Sequence, residues 1–135
     1  MTALRVVTVL AAETGCERVA ELPGASRISP TEVMILGEVS IEVLEHAVRA
    51  DDPGVVVAEV TDGWALVRLE GPRAREAFAR LSELELPAFG FVQGEVARIG
   101  VRVLAEGDRI DLLVPAMVEA HVRERVHADC EGLLP

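Results

Sequence analysis

Carboxylates are the commonest side chains here that could do chemistry, with 23 Asp and Glu among 135 residues. Their very number makes any single pair uninformative, because most acids on such a chain line solvated faces. The three His are His46, His121 and His127. A metal centre needs three or four converging ligands. His46 lies close to Glu42 and Glu45, while His121 and His127 stand six apart, a step that does not place two ligands on one helix face. His127 suits a helix C-terminus, where a cation meets the helix dipole. Ser26, Ser29, Ser40 and Ser82 lack the G-x-S-x-G context of a nucleophilic serine. Cys16 has Glu17 and Arg18 beside it but no His, and with Cys130 it fits no zinc or C-x-x-C spacing. Both read as unpaired buried thiols of a reducing compartment. The stretch Gly90-Phe91-Val92-Gln93-Gly94 is followed by neither a helix nor a Lys, so it reads as turn geometry and not as a phosphate loop. These residues predict no catalytic group, no metal site and no cofactor-binding residue.

The aromatic residues point instead to contact. Trp64 is the only Trp, and there is no Tyr. It reads either as a core or core-edge residue or as an anchor for a partner, since Trp combines large apolar area with a donor. Phe89 and Phe91 alternate in a stretch between Pro87 and Gly94 that reads as a loop, so one ring can face outward. Trp64, Phe89 and Phe91 are the candidate interface residues.

Composition narrows the class. A chain of this length is one domain by the usual prior and can bury an ordinary core. Half of it is hydrophobic, yet aromatics make up only 3%, so the core is aliphatic, with apolar surplus available to cover a partner. All 13 basic residues are Arg, and the net charge is −10. Such a chain repels phosphate backbones and has no basic stripe with interleaved aromatics, which excludes nucleic acid as a partner. The apolar run Ala3–Ala12 is interrupted by Arg5, and no stretch reaches the roughly 18 apolar residues of a membrane span. The expected location is the cytoplasm.

The elements that must position these residues follow from periodicity. Leu4 to Ala11 reads as a strand, and Glu13 to Leu22 as a short helix or a loop. Pro23-Gly24 marks a turn. A break at Ser29-Pro30 precedes a buried strand through Val33 to Leu36. Ser40 is a good N-cap for a helix with Ile41, Leu44 and Val48 inward and Glu42, Glu45 and Arg49 outward. Asp51-Asp52-Pro53-Gly54 stops it. A strand from Gly54 to Val60, the hairpin signal Asp62-Gly63 and a strand from Trp64 to Leu69 read as an antiparallel pair. Pro72 opens a helix that presents Ala74, Ala77, Phe78, Leu81 and Leu84 on one face, with Glu76 and Arg80 paired on the other. Strands at Glu95–Ile99, Val101–Ala105 and Arg109–Val114 come next, then a last helix from Pro115 with Val118, Val122 and Val126, and a frayed tail, Glu131–Pro135. This order predicts one α+β domain over residues 1–135. It would be a mainly antiparallel sheet with helices on one face and a ferredoxin-like unit in the C-terminal half.

One continuous part of the chain, Glu59 to Leu81, resembles the gamma subunit family of heterotetrameric sarcosine oxidase, a relative of the folate-binding domain of glycine-cleavage aminomethyltransferases. The resemblance rests on Glu59-Val60-Thr61-Asp62-Gly63-Trp64 and on Leu69-Glu70-Gly71-Pro72-Arg73-Ala74-Arg75-Glu76-Ala77-Phe78, with Ser29 to Leu36, Phe91 to Ile99 and Val101 to Val126 in support. It covers about Ile28 to Val126. It departs at Glu59, where the family prefers Asp, and at Ala116-Met117. The resemblance implies the aminomethyltransferase folate-binding fold. The related aminomethyltransferases carry a catalytic Asp on a strand-loop-strand after this helix. Here that region, Arg98 to Leu104, has no Asp, and its connection reads as compressed to Gly100, so that activity is not carried over. What the resemblance implies is a non-catalytic accessory subunit of a sarcosine-oxidase-like complex. Such a complex demethylates sarcosine with flavin and NAD on other chains, and tetrahydrofolate accepts the one-carbon unit. This subunit would hold no cofactor and would pack against the catalytic subunits, with a homo-oligomer as a further possibility. The competing reading is a stand-alone module that binds a folate-like small molecule, which the scarcity of aromatics weakens.

Overall fold

The computed structural model describes residues 4–135, so the starts of the 1–135 domain range and of the apolar run at Ala3 lie outside the described residues. The chain forms two compact units, one ending at Thr61 and the other running from Asp62 to Pro135. Each is an antiparallel sheet with helices against one face, so the architecture is α+β with two sheets where the sequence pattern suggested one.

The first unit contains β1 (Val6–Leu10), α1 (Glu13–Val19), β2 (Ala25–Ser29), β3 (Glu32–Leu36), α2 (Ile41–Arg49) and β4 (Val56–Glu59). Its sheet order is β2-β3-β1-β4. Alternation sends Val7, Val9, Val33 and Ile35 to one face, where they pack with Cys16, Val19, Leu44, Val48 and Val55. Two local devices fix the helices. The Ser40 hydroxyl accepts from the Val43 amide at 3.3 Å, capping α2 as its sequence predicts. The Asp52 carboxylate accepts from the Ala12 amide at 2.6 Å and from the Gly54 amide at 3.0 Å, tying the start of α1 to the turn after α2. Gly24 takes φ 78° in the Pro23-Gly24 turn, and a Cβ there would lie 2.3 Å from the Leu36 carbonyl oxygen, so no other residue fits.

The second unit contains β5 (Trp64–Glu70), α3 (Ala74–Leu81), β6 (Phe89–Val96), β7 (Ile99–Glu106), β8 (Arg109–Pro115) and α4 (Glu119–Asp129). Its sheet order is β5-β8-β7-β6. The expected ferredoxin-like unit is not formed: that unit runs β-α-β-β-α-β, whereas this one runs β-α-β-β-β-α, so β7 and β8 are joined by a tight turn and lie side by side in the sheet. Phe78 lies 2% exposed among Val67, Leu69, Val103, Ile110, Leu112 and Val122. The whole apolar face expected for α3 is buried except Leu84, which is half-buried and packed against the same core.

Further expectations change. Asp62-Gly63 does not join a hairpin: β4 pairs with β1 and β5 with β8, and Thr61–Gly63 is a single 3₁₀ turn between the two sheets. The Phe89–Gly94 stretch is not a loop but the body of β6, paired residue by residue with β7. The β6–β7 connection is not Gly100, which lies inside β7, but Ala97-Arg98 with φ 51° and 66°. Two non-glycine residues in left-handed conformations leave no turn signal in a sequence. The tail is not frayed: Leu133 is buried, its amide donates to the Cys130 carbonyl at 3.0 Å, and Leu134 joins the core. Glu76 pairs with Arg73 at 2.8 Å and 3.0 Å instead of with Arg80, whose guanidinium donates to the Asp129 carbonyl.

Candidate functional site

The three candidate contact residues come from two strands at opposite edges of the second unit's sheet. In β6, Val92 and Val96 face the core with α3 and α4, so Phe89 and Phe91 face the other way. In β5, Ala65, Val67 and Leu69 face the core, so Trp64 lies on the same side as the two Phe. The sheet therefore brings all three aromatics to one face. It also separates them, because β5 and β6 are three strand spacings apart, roughly 14 Å.

Burial along that face is uneven. Leu113 on β8 is fully buried. Trp64 is half-buried, and the Arg102 guanidinium of β7 reaches over β8 to stack on its ring at 4.3 Å from the centroid. Phe91 is half-buried too, whereas Phe89 is 71% exposed. The open part of the face is thus the Phe89 end of β6.

That end is held by a residue the sequence reading did not single out. Arg75, on α3, donates to the Gly107 carbonyl at 3.0 Å, to Pro87 at 2.9 Å and to Ala88 at 3.0 Å. The Gly107 amide also donates to the Ala88 carbonyl at 3.0 Å. One guanidinium thereby fastens the helix, the entry to β6 and the β7–β8 turn together, and Phe89 leaves a fixed backbone. Arg75 sits within the quoted Gly71-Pro72-Arg73-Ala74-Arg75 block, but nothing in its spacing announces this role.

Other candidate chemistry stays dispersed. His46 lies on α2, and His121 and His127 on α4. Cys16 and Cys130 are both free and buried, with Sγ donating to the Ala11 carbonyl at 3.5 Å and the Ala77 carbonyl at 3.3 Å respectively. Burial, with Asp129 beside it, pushes the Cys130 thiol above its ordinary pKa. A cavity of about 380 Å³ opens between α4, the tail and the edge of β5. No Phe, Trp or Tyr lines it. Its two Arg already bind carboxylates, Arg68 with Asp111 at 2.6 Å and Arg123 with Glu119 at 2.9 Å. A stacked ring or an anionic ligand therefore finds little there. Among the described residues no helix is long and apolar enough to cross a membrane.

No protein-family model matches the chain, and no curated protein matches it. Its fold is similar to a chain of the heterotetrameric sarcosine oxidase from Corynebacterium sp. U-96, solved in complex with pyrrole 2-carboxylate. The TM-score is 0.79 at 16% identity, over 100% of this chain and 84% of that one.

Proposed function

We propose that this chain is a non-catalytic, gamma-type accessory subunit of a sarcosine-oxidase-like complex, its two units serving together as one gamma-like domain. One observation carries the reading: the likeness to a sarcosine oxidase chain extends over the full length of this one, through both units. The motif block from Glu59 to Arg75 points the same way. The subunit holds no cofactor of its own and works in the cytoplasm beside flavin-bearing catalytic chains. Those chains demethylate sarcosine, and tetrahydrofolate takes up the one-carbon unit. Contact is made through the Trp64, Phe89 and Phe91 face, with the exposed Phe89 foremost. A stand-alone folate-like binding module is the weaker reading, because the 380 Å³ cavity has no aromatic wall for a pterin.

Co-expression with alpha- and beta-type sarcosine oxidase subunits tests the reading. The expected result is co-elution in size-exclusion chromatography, with sarcosine turnover by the assembled complex and none by this chain alone. A flavin absorption band on the isolated chain, or sarcosine oxidation by it, would overturn the non-catalytic assignment. Failure of the wild type to co-elute with any of these subunits would overturn the accessory role.

A further inference from the structure

β6 is an edge strand, and its free edge is divided in two. The Ala88 carbonyl accepts from Gly107 across the β6–β7 ladder, which places even-numbered residues of β6 in the ladder. In an antiparallel pair a residue's N–H and C=O point to the same side, and successive residues alternate. Odd-numbered residues therefore turn their backbone groups away from β7. The far end of that edge is closed: the Glu95 carbonyl accepts from the Ser82 hydroxyl at 2.6 Å, and the Ala97 amide donates to the Leu81 carbonyl at 2.8 Å. At Phe89 and Phe91, no such bond is made among the described residues.

This open stretch lacks the usual protection. Proteins blunt exposed edges with charge or Pro, yet Phe89 to Gly94 has neither. Gly90, between the two rings, is exposed at φ 144° and carries no side chain to hold a neighbouring backbone away. Charge lies around the stretch instead. Glu85, Glu95 and Asp108 are exposed, and none has an ion-pair partner among the described residues; Glu106, opposite Phe89, is shared with Arg109. A second copy would bring one such acidic rim against another.

We propose that a partner chain adds an extended segment to the β6 edge at Phe89–Phe91, with an apolar pocket for Phe89 and basic residues meeting the acidic rim. This rests on the accessory-subunit reading and specifies its contact as strand addition.

The experiment compares Phe89→Ala with Phe89→Pro in binding to the co-expressed alpha-type subunit. Both lose the ring, and only Pro also loses the outward N–H, at the first strand position where Pro is tolerated. The expected weakening is about thirtyfold for Ala. Pro should add about fivefold more. Equal losses would overturn strand addition and leave the accessory role standing; absence of wild-type binding would overturn both. Amide exchange guards against a misfolded Pro variant. In the wild-type chain alone, Phe89 and Phe91 amides should exchange fast and Val92 slowly; in the complex Phe89 and Phe91 should become protected. Unchanged exchange in the complex, or protection through self-association of the chain alone, would overturn the proposal.

Discussion

Glu59 stands where the resembling family prefers Asp, and the longer side chain has work to do. Its carboxylate accepts from the Arg5 guanidinium at 3.0 Å and from the Thr61 hydroxyl at 3.0 Å, while the Thr61 hydroxyl accepts from the Val6 amide at 3.0 Å. The Arg5 and Thr61 bonds hold the Glu59 carboxyl below the usual carboxylate range. A lowered folded value means the unfolded state binds the proton more tightly. The contribution to stability is therefore present above the ordinary carboxylate value and disappears as pH falls through the folded one. In Arg5→Met, the Glu59 midpoint followed by side-chain NMR should rise toward the ordinary range; an unmoved midpoint would mean the pair is not populated in solution. Cys130 runs the other way. With its thiol buried and its pKa raised, alkylation at pH near 8 should be far slower in the native chain than in denaturant. Rapid native labelling would show that the Cys130 site opens. The burial of the Cys130 thiol was legible in the sequence, but the partners were not, because Arg5 and Glu59, and Cys130 and Ala77, are remote in sequence and meet only through the fold.

At the scale of elements, legibility followed periodicity. α2 and α3 were readable because their apolar residues recur at helical steps; Ser40 marks where α2 begins, whereas α3 begins at Ala74 after the Arg73 cap and not at Pro72. Phe78 fills the centre of the second core, so Phe78→Ala should cost about 3–5 kcal/mol. Chemical denaturation measures it, and a loss below about 1 kcal/mol would contradict the packing. Ser40→Ala should remove about 1 kcal/mol by stripping the cap from the Val43 amide. Strand pairing was less legible. The Asp62-Gly63 signal is local, whereas β5 is claimed by β8 some forty residues on. β6 hid behind Pro87, Gly90 and Gly94, residues that read as loop when the partner strand is unseen. The candidate aromatics were named from residue type alone, and their common face and the greater exposure of Phe89 emerged only from the ladder.

For the whole molecule, charge sets the terms of association. With a net charge of −10 and no basic stripe, the chain should pass through a heparin column unretained even at low ionic strength. Retention there would contradict the expectation, drawn from charge, that nucleic acid is not a partner. The Ala97-Arg98 turn has a different bearing. Both residues are held in a conformation that costs an L-residue with a Cβ roughly 1–2 kcal/mol. Arg98 is exposed, so Arg98→Gly should recover about 1 kcal/mol, seen as a raised denaturation midpoint with an unchanged slope. A turn that could be eased by one substitution is a reserve of mutational robustness. A lineage taking that step could absorb one ordinary destabilising change elsewhere, including at a surface drifting to match a changing partner, without falling below the threshold for folding.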